Sequence, residues 1–97
     1  MAIWKNSKMF SICSDGSDII QDEPCQVIID DKRIVISYFD EGQGIEYIGI
    51  NNNDGHFKVK CKQTGGYGNF HKFNNENILE GYWVEEGYEG FWRIELK

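Results

Sequence analysis

Apolar and polar residues alternate along most of this chain, in short runs separated by residues that favour turns. A period of two is typical of a β-strand with one buried side, and no segment shows the 3.6-residue period of an amphipathic helix. The runs lie at residues 9–13, 19–20, 25–29, 34–39, 45–50, 57–62 and 70–73, and in a final hairpin over 78–97. The sequence therefore predicts an all-β fold, a single antiparallel meander of seven or eight short strands that forms a small closed or nearly closed barrel over residues 1–97.

The final hairpin carries the strongest alternation. A two-residue loop at Tyr88 and Glu89 would set Glu80 opposite Lys97, whereas a four-residue loop centred one step earlier would set Glu80 opposite a second glutamate. Like charges that face each other across a ladder are destabilising, so the first register is the predicted one. In both registers the same four apolar side chains share a face, namely Trp83, Trp92, Ile94 and Leu96.

The middle strands have apolar side chains on both faces. Five-residue loops at 40–44 and 51–55 would set Ile36 opposite Ile48 and Tyr47 opposite Val59. One face would then hold Ile34, Ile36, Tyr38, Ile48 and Ile50, and the other Val35, Phe39, Ile45 and Tyr47. A sheet with one side in water should have a polar face, so either the N-terminal segment covers the first set or that set is an interface. If it is uncovered, the expected assembly is a homodimer.

The predicted core combines the hairpin with the middle strands. Its members are Trp83, Trp92, Ile94, Leu96, Phe57, Val59, Tyr47 and Val35. The glycine-rich stretch 64–69 is predicted to be a loop, and Pro24 to mark a strand start or an edge, because proline cannot donate to a ladder.

The composition of the chain limits the partners and the cellular location that we expect. The net charge of −6 opposes a phosphate backbone, so nucleic acid is an unexpected partner. The sequence has neither an N-terminal apolar signal region nor a membrane-length apolar run, which indicates a cytoplasmic protein without a membrane partner. The three cysteines cannot all pair, and their apolar surroundings indicate buried, reduced thiols.

No motif indicates catalysis, a cofactor or a metal. The two histidines and three cysteines lie at least five residues apart in sequence, and no calcium-loop or phosphate-loop spacing is present. Carboxylate pairs such as Glu85 with Glu86 are expected on the side opposite the tryptophans, in solvent. Arg93 lies among apolar residues, where its guanidinium could stack on an aromatic ring, bind an anion or simply reach water.

A Gly-x-Trp motif, Gly81-Tyr82-Trp83, lies on this predicted meander. The combination resembles the calycin architecture of lipocalins, fatty-acid-binding proteins and avidins. In lipocalins the motif opens the first strand, whereas here it lies near the C-terminus of a shorter chain. The resemblance implies a ligand in the barrel mouth, although an eight-stranded barrel can also be filled by its own side chains.

Two functions follow as expectations. The first is non-enzymatic binding of a small ligand, with Tyr47, Trp83 and Trp92 as walls, Tyr67 as a gate and Arg93 as a further contact. The second is a protein-interaction or inhibitor module, of the immunity-protein kind, that acts through the apolar face of the middle strands.

Overall fold

The computed structural model describes every residue from Met1 to Lys97 and shows a closed antiparallel barrel. Its strands are β1 (Ala2–Cys13), β2 (Ile19–Ile29), β3 (Arg33–Asp40), β4 (Gln43–Asn51), β5 (His56–Cys61), β6 (Tyr67–His71), β7 (Ile78–Glu85) and β8 (Tyr88–Glu95). Each strand pairs with the next in sequence, and β1 pairs with β8. The all-β class, the single meander and the closure into a barrel are confirmed. The structure contains no helix that is long and apolar enough to cross a membrane.

The first two strands are longer than predicted. β2 runs through Pro24, which lies opposite Lys8 of β1, and its pairing with β3 begins only at Gln26. Pro24 is therefore tolerated because this half of β2 has a single hydrogen-bonded neighbour. The predicted loop at 64–69 is also too long, since β6 already begins at Tyr67.

Two hairpins turn on a Glu-Gly pair. Glu41 and Gly42 have φ of 51° and 81°, and Glu86 and Gly87 have φ of 52° and 84°. Positive φ at both central residues is the backbone of a type I′ turn, whose twist matches that of the paired strands. The loops predicted at 40–44 and at Tyr88-Glu89 are wrong, and both registers change with them. The predicted β4–β5 register is also wrong, because Tyr47 lies opposite Cys61 rather than Val59.

The altered β3–β4 register redistributes the middle strands. Ile36 lies opposite Tyr47 rather than Ile48, a slip of one residue that reverses the face of one strand relative to the other. Ile34 and Ile36 are fully buried inside the barrel and Tyr38 is partly buried, whereas Ile48 and Ile50 point outward. The five side chains predicted to form one face therefore do not share a face.

The interior is packed mainly by aliphatic and aromatic side chains. Seven of the eight predicted core residues are buried, and Trp83 is partly buried against the core. Val35 is buried on the outer side of β3, opposite Ile48. Core residues that the sequence analysis did not assign are Met9, Cys25, Val27, Ile34, Ile36, Ile45, Cys61, Phe70 and Leu79. All three cysteines are buried and unpaired, as predicted.

The two interior tryptophans lie over glycines of neighbouring strands. Trp83 is paired with Gly68 on one side and with Gly90 on the other, and Trp92 is paired with Gly81. A Cβ at Gly90 would lie 2.7 Å from Cζ2 of Trp83, and a Cβ at Gly68 would lie 2.8 Å from Cζ2 of Trp92. The indoles occupy the space that side chains at these positions would otherwise fill.

The indole N–H of Trp92 finds a hydrogen-bond partner at Asn69, where the pairing between β6 and β7 is interrupted. It donates to the carbonyl oxygen of Asn69 at 2.9 Å, and the Asn69 side-chain oxygen accepts the backbone N–H of Tyr82 at 3.1 Å. A buried polar group without a hydrogen-bond partner is costly. The Asn69 side chain therefore takes the place of one ladder hydrogen bond, while its backbone carbonyl oxygen accepts the hydrogen bond of the Trp92 indole.

The glycine beneath Trp92 should be essential to stability. In Gly68→Ala the added methyl would meet the Tyr82 carbonyl oxygen at 2.3 Å as well as the indole. We expect the free energy of unfolding, measured by urea denaturation, to fall by about 1 to 3 kcal/mol. Gly44→Ala is the control, because its nearest neighbour would be 3.9 Å away. Equal stability of the two variants would contradict this account of the packing.

Alkaline pH should destabilise the barrel through Cys25. Burial, with a smaller effect of the Glu23 charge, raises the pKa of this thiol from 9.0 to about 12. The unfolded chain releases the thiol proton first, so the stability that is complete below pH 9 should be lost as the pH rises toward 12, by at most about 1.4 kcal/mol per unit.

The measurement is the free energy of unfolding of the wild type and of Cys25→Ala between pH 8 and 10. The wild type should lose more stability over this interval than Cys25→Ala does. Parallel curves for the wild type and Cys25→Ala would refute the assignment.

Candidate functional site

One end of the barrel opens into a cavity of about 400 Å³, here called the barrel mouth. Antiparallel order brings the ends of β1, β3 and β7 together with the start of β2 at this end. The mouth is lined by inward-facing residues near those strand ends, whereas the interior below it is filled by core side chains. The cavity is therefore a feature of one end of the barrel and not a channel through it.

Aromatic rings form much of the cavity wall. Tyr47 and Trp92 meet edge to face with ring centroids 5.0 Å apart, and Phe70 stacks on the other side of Trp92 at 4.3 Å. Tyr38, Phe39 and Trp83 are the other aromatic residues that line the cavity, and Phe70 supports Trp92 from the core. Since Trp92 is held by its glycine neighbours and its hydrogen bond, these rings form a preorganised wall.

All charged side chains of the mouth are acidic. Four carboxylic acids line it, and no lysine, arginine or histidine does. The acids are Asp18, Glu23, Asp40 and Glu85. The mouth thus has the same sign of charge as the whole chain, concentrated around an aromatic cavity.

Tyr47 connects the aromatic wall to this charge. Its hydroxyl donates a hydrogen bond of 2.5 Å to Oε2 of Glu85. Burial, and then the hydrogen bond and charge of Glu85, raise the pKa of Tyr47 above its ordinary value. Burial and nearby acids, Glu85 foremost among them, raise the pKa of Tyr38 in the same way. Both phenols are therefore neutral hydrogen-bonding groups at physiological pH and add no negative charge.

The structure brings together three of the five predicted ligand residues. Tyr47, Trp83 and Trp92 all line the mouth. Tyr67 does not line the mouth, because it lies on the outer side of β6 next to the inward-facing Gly68. Arg93 is also outside the barrel, with its guanidinium carbon 5.1 Å from the centroid of the Phe10 ring. Of the roles considered for Arg93, stacking on an aromatic ring is the one observed.

The acids were the residues that sequence reasoning missed. Glu85 was placed on the side opposite the tryptophans, yet it is two residues after Trp83 and so shares its face. The inward position of Glu85 could therefore have been predicted from the alternation of residues along β7. The convergence of Asp18, Glu23 and Asp40 depends on how β2 and β3 close around the same opening, which no local pattern predicts.

A second surface, the outer apolar face, lies on the outside of β1, β2, β7 and β8. Ladder pairs connect its four members in one row, from Ile19 to Ile12, from Ile12 to Phe91 and from Phe91 to Tyr82. Phe91 is 64% exposed and Ile19 is 58% exposed. Together with Phe10 these side chains line an open groove, so an exposed apolar surface lies here. On the middle strands Phe39, Ile48 and Ile50 are exposed as well.

The geometry of the fold and of its mouth is that of an eight-stranded up-and-down barrel with an open end. No protein-family model, curated protein sequence or solved structure matches the chain.

Proposed function

We propose that this protein is a calycin-like, non-enzymatic binding barrel whose ligand is a small organic cation held in the barrel mouth. The observation that carries the proposal is the cavity itself, which combines aromatic walls with four acidic side chains and no basic one. Ligand sites in barrels commonly lie at the mouth.

The charge and the rings favour the same ligand. An ammonium group is attracted by the face of an aromatic ring, by about 0.5 to 2 kcal/mol depending on its desolvation. Nearby carboxylates add attraction for a cation and repel an anion, and both effects are stronger in a partly desolvated cavity than in water. A neutral ligand of the same shape would gain only the apolar contact.

The volume of the mouth limits ligand size. A cavity of about 400 Å³ is near the lower end of the range of about 300 to 1,000 Å³ for small-molecule sites. This volume suits a metabolite with one or two amine groups rather than a long acyl chain, for which the filled interior offers no room.

The direct test is a titration followed by tryptophan fluorescence and calorimetry. Choline and putrescine are the cationic probes, and 3,3-dimethylbutan-1-ol is a neutral isostere of choline. We expect the cations to bind and to change tryptophan emission, because Trp83 and Trp92 line the cavity. We expect the neutral isostere to bind at least about tenfold more weakly, which corresponds to about 1.4 kcal/mol.

Matched variants locate the site. Glu85→Gln removes one charge from the mouth and should weaken choline binding about tenfold, whereas Glu80→Gln removes one charge from the outer side of the same strand and should leave binding unchanged. Equal binding of the cation and its isostere would remove the charge argument. If no probe changes the tryptophan emission or gives a heat of binding, the result would count against small-ligand binding.

A second candidate function is protein association through the outer apolar face, and its support is the row of exposed side chains that includes Phe91 and Ile19. The simplest form is a homodimer, because a self-complementary patch closes after one partner. The predicted interface at the middle strands is a weaker candidate, since only Ile48 and Ile50 of that set are well exposed.

Sedimentation velocity distinguishes the two surfaces. If the outer apolar face mediates association, Phe91→Lys should return the protein to a species near the 11.3 kDa monomer, and Ile50→Lys should leave the dimer intact. The reverse result would restore the middle strands as the interface. A wild-type protein that sediments as a monomer at micromolar concentration would exclude the homodimer.

A further inference from the structure

Two histidines that are far apart in sequence meet at the end of the barrel opposite the mouth. His56 begins β5 and His71 ends β6, and the two lie directly opposite each other in the ladder. Their Nδ1 atoms are 2.6 Å apart, and their rings are nearly perpendicular, with centroids 4.6 Å apart. Both side chains are exposed on the outer face, so the pair is open to solvent.

The backbone around the pair is well fixed. Beyond the ladder, the N–H of Lys72 donates to the carbonyl oxygen of Gly55 at 2.8 Å. The Asp54 side chain accepts the backbone N–H of His56 at 3.0 Å. Because hydrogen bonds hold both histidines on adjacent strands, their side chains need no large rearrangement to act together.

We propose that His56 and His71 form a surface binding site for a late first-row divalent transition-metal ion, with the two Nδ1 atoms as ligands. Neutral imidazole is a preferred ligand of copper, nickel and zinc. With a metal–nitrogen distance of about 2.0 to 2.1 Å and an angle of about 90° to 110° at the metal, two ligand nitrogens lie about 2.9 to 3.3 Å apart. The observed separation of 2.6 Å reaches this range when rotation of either exposed ring moves its Nδ1 atom outward by about 0.3 to 0.7 Å.

Binding of a metal by two neutral rings moves one proton but does not change the number of protons on the pair. In the metal-free pair of neutral rings, one Nδ1 carries the proton of the hydrogen bond and the other accepts it. Metal binding needs the lone pairs of both Nδ1 atoms, so the first ring moves its proton to Nε2 by exchange with water. Each bound imidazole then carries its proton on the solvent-facing nitrogen, and no proton is released overall.

The protein supplies two nitrogens and solvent supplies the other ligands. No group of three or more histidines, cysteines or acids is arranged to hold a metal, and the nearest acid in the ladder is Glu80, opposite His71. The two nitrogen ligands therefore determine which metal ions the site prefers. Affinity should follow the order copper above nickel and zinc, while magnesium and calcium, which prefer oxygen ligands, should not compete.

The test is isothermal titration of tag-free protein with Cu²⁺, Ni²⁺ and Zn²⁺. We expect one site per chain and an affinity that falls at least about tenfold in His56→Asn and in His71→Asn, because loss of a direct ligand should cost at least as much as loss of its supporting partner. Lys58→Gln, also on the outer side of β5, is the control and should bind as the wild type does. The double variant measures background binding by the thiols and the N-terminus.

A spectroscopic measurement identifies the ligands. The electron paramagnetic resonance spectrum of the Cu²⁺-loaded wild type should show coupling to two histidine nitrogens, and each single variant should lose one. Wild-type affinity in either single variant, or the same affinity for the wild type and the double variant, would refute the proposal. The site is separate from the barrel mouth, so choline titration of His71→Asn should match the wild type whichever way the metal experiment ends.

Discussion

The packing of two indoles against glycines organises this barrel. Gly90 serves two contacts at once, because a Cβ there would lie 2.7 Å from the Trp83 ring and 2.1 Å from the carbonyl oxygen of Ile12. The second contact belongs to the β8–β1 seam, where the first and last strands close the barrel. Space for the tryptophan and closure of the sheet therefore depend on the same missing side chain, so neither can be changed alone.

The same packing explains why the barrel is filled at one end and open at the other. Away from the layer of Tyr47, Phe70 and Trp92, aliphatic side chains together with Phe57 and two cysteines fill the interior, as expected for an eight-stranded barrel. Toward the mouth the lining includes four acids, Tyr38 and Trp83, which surround the opening rather than fill it. The hydrogen bond from Tyr47 to Glu85 lies at this boundary and joins the buried wall to the charged opening.

Three surfaces of the molecule carry different chemistry and are supported by different elements. The mouth is acidic and aromatic, the outer apolar face spans β2, β1, β8 and β7, and the histidine pair bridges β5 and β6 at the opposite end. A barrel makes this separation possible because inward and outward residues alternate along every strand. One set of residues builds the core and the mouth while the other remains free for contacts.

The sequence by itself determined most of the strands, the meander and the face of the final hairpin, because a period of two is a local property of the chain. It did not determine the full length of β1 and β2. The hairpin register was wrong, with Glu80 opposite Arg93, but the error was an even number of positions, so Trp83 and Trp92 kept their common face. In β3–β4 the error was one position, which was enough to assign Ile36 and Ile48 to a single face when they lie on opposite ones.

Tertiary structure decided what depends on pairing and closure. The errors in the β3–β4 and β7–β8 registers come from Glu-Gly turns. Positive φ at glutamate is uncommon, so a prediction that expects asparagine or glycine at such positions misses these turns. The four acids of the mouth come from β2, β3, β7 and the turn before β2, and only closure of the sheet brings them together. His56 and His71 are fifteen residues apart and become neighbours through one ladder pair, because hydrogen bonding between strands sets distances that sequence spacing does not contain.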